Sequence, residues 1–286
     1  MRALRGALAL AALTVASLAM IPVQWLALRY GWPVRTRLPL VWHRIATRLV
    51  GIRIHQRGHA AVARPLLITA NHASWVDITV LGAVMPLSFI AKSEVEGWPV
   101  FGLLARLQRT VFVNRTRRSE TGDVADRIAE RIGVGDVMVL FAEGTSNDGN
   151  GVLPFRSALL GAATRALAGG RPVHVQPLSI AYTHLQGLPM DRRTRPHVAW
   201  YGDMELPGHL WAIVREGALD VTLTWGEPVV VDAGTDRKEL TLRLQREVAL
   251  MTASALLGRP VNPEPVAAEA PAAAADRQAG AMDAAT

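Results

Sequence analysis

The chain has 286 residues, half of them hydrophobic, a formal net charge of +7 carried mostly by arginine, and no cysteine. This length is ample for one α/β domain with a sizeable core. The absence of cysteine excludes disulfides, cysteine-ligated zinc and a thiol nucleophile. A basic balance suits nucleic acid, acidic lipid head groups or an acidic acyl donor, but the strongly apolar N-terminus and the lack of any nucleic-acid motif weigh against the first.

Arg2 and Arg5 precede an apolar stretch from about Ala7 to Leu28, interrupted only by Pro22 and Gln24 among strongly polar or breaking residues. As a helix it would measure roughly 33 Å, enough for a hydrocarbon core. A cleaved signal peptide shares this pattern, and Ser17-Leu18-Ala19 is a small-x-small site, but the residues after Ala19 stay apolar. Arg29, Arg35 and Arg37 flank the other end, so the positive-inside rule does not orient one clean span. Spanning and lying in one leaflet are both open, the latter with Trp25, Trp32 and Trp42 at interfacial depth. Residues 1–30 are therefore expected to be a membrane anchor helix, and 31–60 an interfacial or packing helical segment. Leu40 to Val50 within it fits a buried core helix.

A single domain is expected over 61–258. Pro65-Leu66-Leu67-Ile68-Thr69-Ala70 is short, β-rich and bounded by turn formers, which predicts a buried strand. Asn71 and His72 then fall in a turn, and Ser74 is placed to cap a helix that carries Asp77 in its first turn. The turn matters, because two residues five apart on one continuous helix point about 140° away from each other. A loop histidine and a helix aspartate can instead meet, the carboxylate fixing the imidazole tautomer and stabilising the imidazolium. His72 and Asp77 are thus a candidate general-base dyad. No serine lies in a Gly-x-Ser-x-Gly elbow, so the base would act on an alcohol supplied by a substrate, which would attack a thioester or ester.

Further along, Leu87 to Lys92 is a strand candidate with Lys92 at its end as a candidate head-group contact, and Arg109 to Arg115 is a strand ending in the cluster Arg115, Arg117 and Arg118. Strand ends are where α/β folds bind ligands. Val124, Ile128 and Ile132 recur at helical spacing after Thr121. Asp136 to Phe141 is a second buried strand, running into Ala142-Glu143-Gly144-Thr145-Ser146, where a glycine permits positive φ or close approach to an anion. Leu159, Ala163 and Leu167 stripe a helix ended by Gly169-Gly170. Val221 to Trp225 is a strand, and Leu240, Leu244, Val248 and Met251 stripe a closing helix. From 259 to 286 the chain is alanine and proline rich and is expected to be disordered. The other seven histidines lack ligand-like spacing, and no glycine-rich nucleotide motif occurs, so neither metal nor cofactor is expected.

Four of these segments together resemble the glycerolipid acyltransferases typified by bacterial 1-acyl-sn-glycerol-3-phosphate acyltransferase. Asn71, His72 and Asp77 match the family's Asn-His-x-x-x-x-Asp, and Phe112-Val113-Asn114-Arg115 matches its Phe-Ile-x-Arg. Phe141-Ala142-Glu143-Gly144-Thr145-Ser146 stands for Phe-Pro-Glu-Gly-Thr-Arg-Ser. Val175-Gln176-Pro177-Leu178-Ser179-Ile180 stands for the strand with a central proline. The resemblance implies an α/β fold with a mixed sheet flanked by helices, His72 and Asp77 as catalytic pair, and Arg115 on the acceptor's phosphate. It implies that Glu143, Gly144 and Thr145 shape the acceptor pocket, with Glu143 bonding glycerol hydroxyls or bracing the arginines.

The implied reaction moves an acyl chain from acyl-CoA or acyl carrier protein to 1-acyl-sn-glycerol-3-phosphate, giving phosphatidic acid at the cytoplasmic face of a bacterial inner membrane. One departure bears on the acceptor. Ser146 stands where an arginine is common, and Arg156 could restore that charge from the next segment. A lyso-lipid with another head group, such as lyso-ornithine lipid, is therefore the competing acceptor. A non-catalytic lipid-binding protein is the non-enzymatic alternative, against which the intact pair His72 and Asp77 argues.

Overall fold

The computed structural model describes residues 1–113, 121–158, 160, 172–232 and 234–260. Arg115, Arg117 and Arg118, the stripe Leu159, Ala163 and Leu167 with Gly169-Gly170, and the tail from 261 onward lie outside the described residues.

The centre of the fold is a mixed sheet whose middle strands are buried on both faces, which is why β2 (Leu66–Ala70) and β5 (Val137–Phe141) read as unbroken apolar runs. The sheet also contains β1 (Ile52–Arg57), β3 (Ser88–Lys92), β4 (Val111–Val113), β6 (Val173–Leu185) and β8 (Leu219–Trp225), in the order β1-β8-β6-β2-β5-β3-β4. Two short strands, β7 (Leu188–Pro189) and β9 (Val229–Val231), pair with β6. β2 runs parallel to β5 and β6, and β3 parallel to β5 and β4, whereas β8 is antiparallel to β6. The carboxyl ends of β2 and β5 therefore lie side by side, with Ala70 opposite Phe141.

Alternation along these strands feeds two cores. Leu66, Ile68, Val139 and Phe141 face α3 (Val76–Val84) and α6 (Leu206–Glu216) together with Val76, Val80, Ile213 and Val214. Leu67, Met138, Leu140 and Val175 face α5 (Thr121–Gly133) and α7 (Arg237–Leu257) together with Ile128, Ile132, Leu240, Leu244 and Val248. The stripes expected at Ile128 and Ile132 and at Leu240, Leu244 and Val248 are these packed faces. Between β3 and β4 the chain forms the short helix α4 (Phe101–Leu107). α2 (Arg37–Val50) lies against α3 closely enough that a Cβ on Gly82 would meet the His43 ring at 2.2 Å.

α1 (Arg2–Arg29) is one helix through Pro22. Its packed side runs the length of the helix, from buried Gly6 and Ala9 to buried Gln24 and Ala27, while Leu4, Leu8, Val15, Leu18, Val23 and Trp25 are exposed. Its start is tied to the domain: Arg5 donates to the carbonyls of Val214 and Val50 at 2.8 and 2.5 Å, and Arg2 to Glu216 at 3.1 Å. Its end is held by Gln24, whose amide donates to the carbonyls of Arg35 and Leu107.

Several expectations change. The segment 31–60 is not wholly helical, because Ile52–Arg57 forms β1 and pairs with β8, so the sheet begins before residue 61. Trp42 is partly buried against α1, its indole donating to the Ser17 hydroxyl at 2.9 Å. Arg109 lies outside the strand, at φ 63°, and β4 starts at Val111. The proline strand is longer than its motif, because β6 continues past β2 to pair with β8.

Candidate active site

The loop after β2 is fixed before it carries any chemistry. Asn71 extends β2 by side chain, its amide donating to the carbonyl of Ile180 at 2.9 Å and its oxygen accepting the Ile180 N–H at 2.8 Å. The N–H of Asn147 donates to the carbonyl of His72, and that of Trp200 to the carbonyl of Ala73. α3 then starts at Val76, and Ser74 does not cap it. The carboxylate of Asp77 does the bonding expected of a cap, reaching back from the first turn to accept the N–H groups of Ala73 and Ser74 at 2.8 and 3.0 Å.

The same oxygen, Oδ2, meets Nδ1 of His72 at 2.8 Å. A carboxylate there selects the tautomer with hydrogen on Nδ1 and leaves the lone pair on Nε2. The imidazole stacks on Phe141 at 4.0 Å between centroids and keeps 18% of its side-chain surface exposed, whereas Asp77 has none. The ring is thus oriented by two elements while still reachable by a substrate. Its geometry is that of a general base braced by a buried acid.

Oδ1 of Asp77 accepts the hydroxyl of Tyr182, a residue of β6 that is fully enclosed. Burial, with the Asp77 charge beside it, raises the phenol well above its ordinary pKa, so it stays a donor. Tyr182 is not legible in the sequence as a site residue. The one available signal is its position two residues beyond Ile180, on the same face of the strand that carries the proline motif.

Glu143 follows β5 and is buried. Its Oε1 accepts the His72 N–H at 3.3 Å and its Oε2 the Asn147 amide at 2.7 Å. Burial pushes its pKa up to about 8, against these bonds and with a smaller push from the Asp77 charge. It thereby joins the loop after β2 to the loop after β5, while the Arg115 cluster that it is expected to brace lies outside the described residues. Gly144 takes φ 73°, as a tight turn requires, and its N–H donates to the carbonyl of Phe141. Thr145 is exposed beside it. Arg156 is also exposed, but its N–H donates to the carbonyl of Ala142, which sets it next to the Glu143 turn. Lys92 is exposed at the end of β3, two strands from β2, and no contact joins it to the dyad.

With this geometry in place, comparison with known proteins identifies the relatives. The acyltransferase family model matches residues 51–181. The lyso-ornithine lipid O-acyltransferase of Brucella abortus is 53% identical over 258 residues, covering 89% of this chain and 96% of that protein. The chain belongs to the acyltransferase family. Its counterpart of the same name in Rhizobium meliloti is 43% identical over 93% of this chain and 94% of its own length. The 1-acyl-sn-glycerol-3-phosphate acyltransferase of Neisseria gonorrhoeae is 33% identical over 66% of this chain and 69% of its own. Among solved structures, the lysophosphatidate acyltransferase PlsC of Thermotoga maritima superposes with a TM-score of 0.62 at 21% identity, covering 92% of this chain and 100% of that one. The fold is therefore that of PlsC, a mixed sheet with flanking helices. The protein is an O-acyltransferase acting on lyso-lipids.

Proposed function

We propose that the acceptor is lyso-ornithine lipid, in place of the 1-acyl-sn-glycerol-3-phosphate that the motifs imply. The observation that carries this reading is the likeness, over about nine tenths of the chain, to two proteins named lyso-ornithine lipid O-acyltransferase. Ser146 supports it, since one cation fewer beside the Glu143 turn suits a head group whose anion is a carboxylate better than a phosphate.

In this reading His72 Nε2 takes the proton of the lyso-lipid hydroxyl as its oxygen attacks the carbonyl of an acyl thioester carried on coenzyme A or acyl carrier protein. The C–S bond breaks, the thiolate leaves with the proton from His72, and the ester remains. Asp77 holds the imidazole and balances its transient charge. Arg115 binds the acceptor anion, with Glu143, Gly144, Thr145 and Arg156 shaping that side of the pocket and Lys92 at its outer edge.

Membrane attachment is supported by α1, whose most apolar window has a mean hydropathy of 2.1. Because α1 packs along the domain from end to end, its outer face fits burial in one leaflet of the membrane, on the cytoplasmic side where acyl thioesters occur.

The test is acyl transfer with a panel of lyso-lipids. Lyso-ornithine lipid should give the highest kcat/KM, and Arg115→Ala should mainly raise the acceptor KM, with Arg115→Lys restoring only part. A higher kcat/KM on 1-acyl-sn-glycerol-3-phosphate would return the acceptor to the motif-based reading.

A further inference from the structure

A second basic site lies at the opposite end of the sheet. Where β2, β3 and β5 begin, a cavity of about 280 Å³ is lined by Arg35, Arg64, Ser88, Arg109 and Asp136, together with apolar residues. The dyad follows the far end of β2, and five residues at ~3.3 Å each place the cavity roughly 17 Å away. It is therefore no part of the acyl-transfer site.

The charges around it do not balance. Among the described residues Asp136 is the one carboxylate at the cavity, and it is already engaged: it accepts from both Nη atoms of Arg109, at 3.2 and 2.7 Å, and from Nε of Arg131 at 2.5 Å. Arg131 also donates to the carbonyl of Arg109 and the hydroxyl of Ser88. Arg35 and Arg64 have no carboxylate within ion-pair distance among the described residues. Arg64 is steadied instead by the carbonyls of Ala61, Val62 and Ala63 through one nitrogen, Nη1. Three arginines thus line a cavity that holds one acid, and Arg131 bonds that acid from beside it, within the field of both Arg109 and Arg35. Like charges held together in a partly closed site favour an anion between them, and guanidinium forks match phosphate oxygens.

The backbone helps to hold them there. Arg109 sits at φ 63°, a conformation a side chain rarely adopts, with its N–H bonded to the carbonyl of Arg106 and its own carbonyl bonded by Arg131. Arg35 lies in the 3-10 turn Pro33–Thr36, directly after α1, where the exposed rings of Tyr30 and Trp32 stack 6.1 Å apart. Through Arg35 the cavity thus adjoins the segment where the apolar helix ends and aromatic rings of interfacial type begin.

We propose that this cavity is a second, non-catalytic anion site that takes a phosphate group, presented either by an anionic phospholipid at the membrane surface or by free phosphate. The full-length protein tests it in two arms. In non-ionic detergent, inorganic phosphate is titrated against chloride at matched ionic strength and thermal unfolding is followed. Separately, flotation is compared on phosphatidylcholine vesicles with and without phosphatidylglycerol. The double variant Arg35→Ala, Arg64→Ala leaves the Asp136 network intact and should weaken phosphate-group binding by about tenfold or more. Acyl transfer to detergent-dispersed lyso-lipid should persist.

Arginine-dependent stabilisation by phosphate identifies the free ion as a ligand; an arginine-dependent gain on phosphatidylglycerol vesicles alone identifies the lipid head group. If neither response depends on these arginines, the site does not exist. Arg35→Gln alone carries the measurement should the double variant fail to fold.

Discussion

The hydroxyl of Tyr182 on β6 and the carboxylate of Asp77 on α3 are bonded through Oδ1, the oxygen that His72 leaves unused. Both oxygens of a fully buried acid are then engaged by protein: His72, Ala73 and Ser74 on Oδ2, and Tyr182 on Oδ1. A charge without access to water needs such partners. The Asp77 charge in turn adds a small push to the raised pKa of Glu143.

Tyr182→Phe removes one charge-assisted bond, worth about 1.5–3 kcal/mol. With its anion less well stabilised, the dyad takes up a proton more readily, so the acid limb of the kcat/KM profile should move to higher pH. A purely structural role would lower the amount of folded protein and leave the limb in place. Were His72→Ala inactive while folded Tyr182→Phe kept a wild-type profile, the dyad would stand and the part assigned to Tyr182 would not.

His72→Ala should lower kcat by ~10²–10⁴-fold, the usual weight of general-base assistance, with little effect on folding. Asp77→Asn should leave a trace of activity and also lower the melting temperature, because an amide cannot serve both the imidazole and the two loop N–H groups that Oδ2 accepts. Turnover close to wild type in folded His72→Ala would remove the mechanism.

Glu143 gives the stability a pH slope of known sign. Its pKa is raised from 4.5 to about 8 in the fold, so the folded state holds a proton that the unfolded chain has released. That contribution is complete below 4.5 and is lost as pH climbs through 8. Glu143→Gln cannot titrate and loses an acceptor for Asn147 or His72, so it should melt below wild type in acid, the gap narrowing as pH rises from 4.5 to about 8 and levelling off beyond. A gap that widens with rising pH would show that the carboxyl is stable as an anion.

The outer face of α1 is open to a direct test through Leu8, Val15 and Leu18, which are 63, 68 and 67% exposed. Changing all three to serine should weaken vesicle flotation strongly, since burying each side chain is worth about 1.5–3 kcal/mol, and should leave the melting temperature nearly unchanged. The mature protein should retain its N-terminus, because Arg5 bonds both α2 and α6 and cleavage after Ala19 would discard those contacts. Undiminished flotation of the triple variant would remove the outer-face reading, and N-terminal sequencing that began at Met20 would remove the anchor.

Local pattern alone determined the strands β2 and β5, the helices with apolar stripes, and the pairing of His72 with Asp77. These rest on short-range facts: period, turn chemistry, and a five-residue spacing that only a loop-to-helix junction can close. The four motifs carried the reaction class, but not the acceptor. What needed the tertiary structure was every contact between residues far apart in sequence. Tyr182 reaches Asp77 only because β6 lies beside β2; Glu143 meets the His72 loop only because β5 flanks β2 on the other side. Likewise, Arg35, Arg64, Arg109 and Arg131 look like scattered surface charges along the chain, and parallel strand packing gathers them at one sheet end. A sequence records which groups are available; which of them share a buried volume is decided by strand order, and strand order is set by the summed packing of two cores rather than by any local signal.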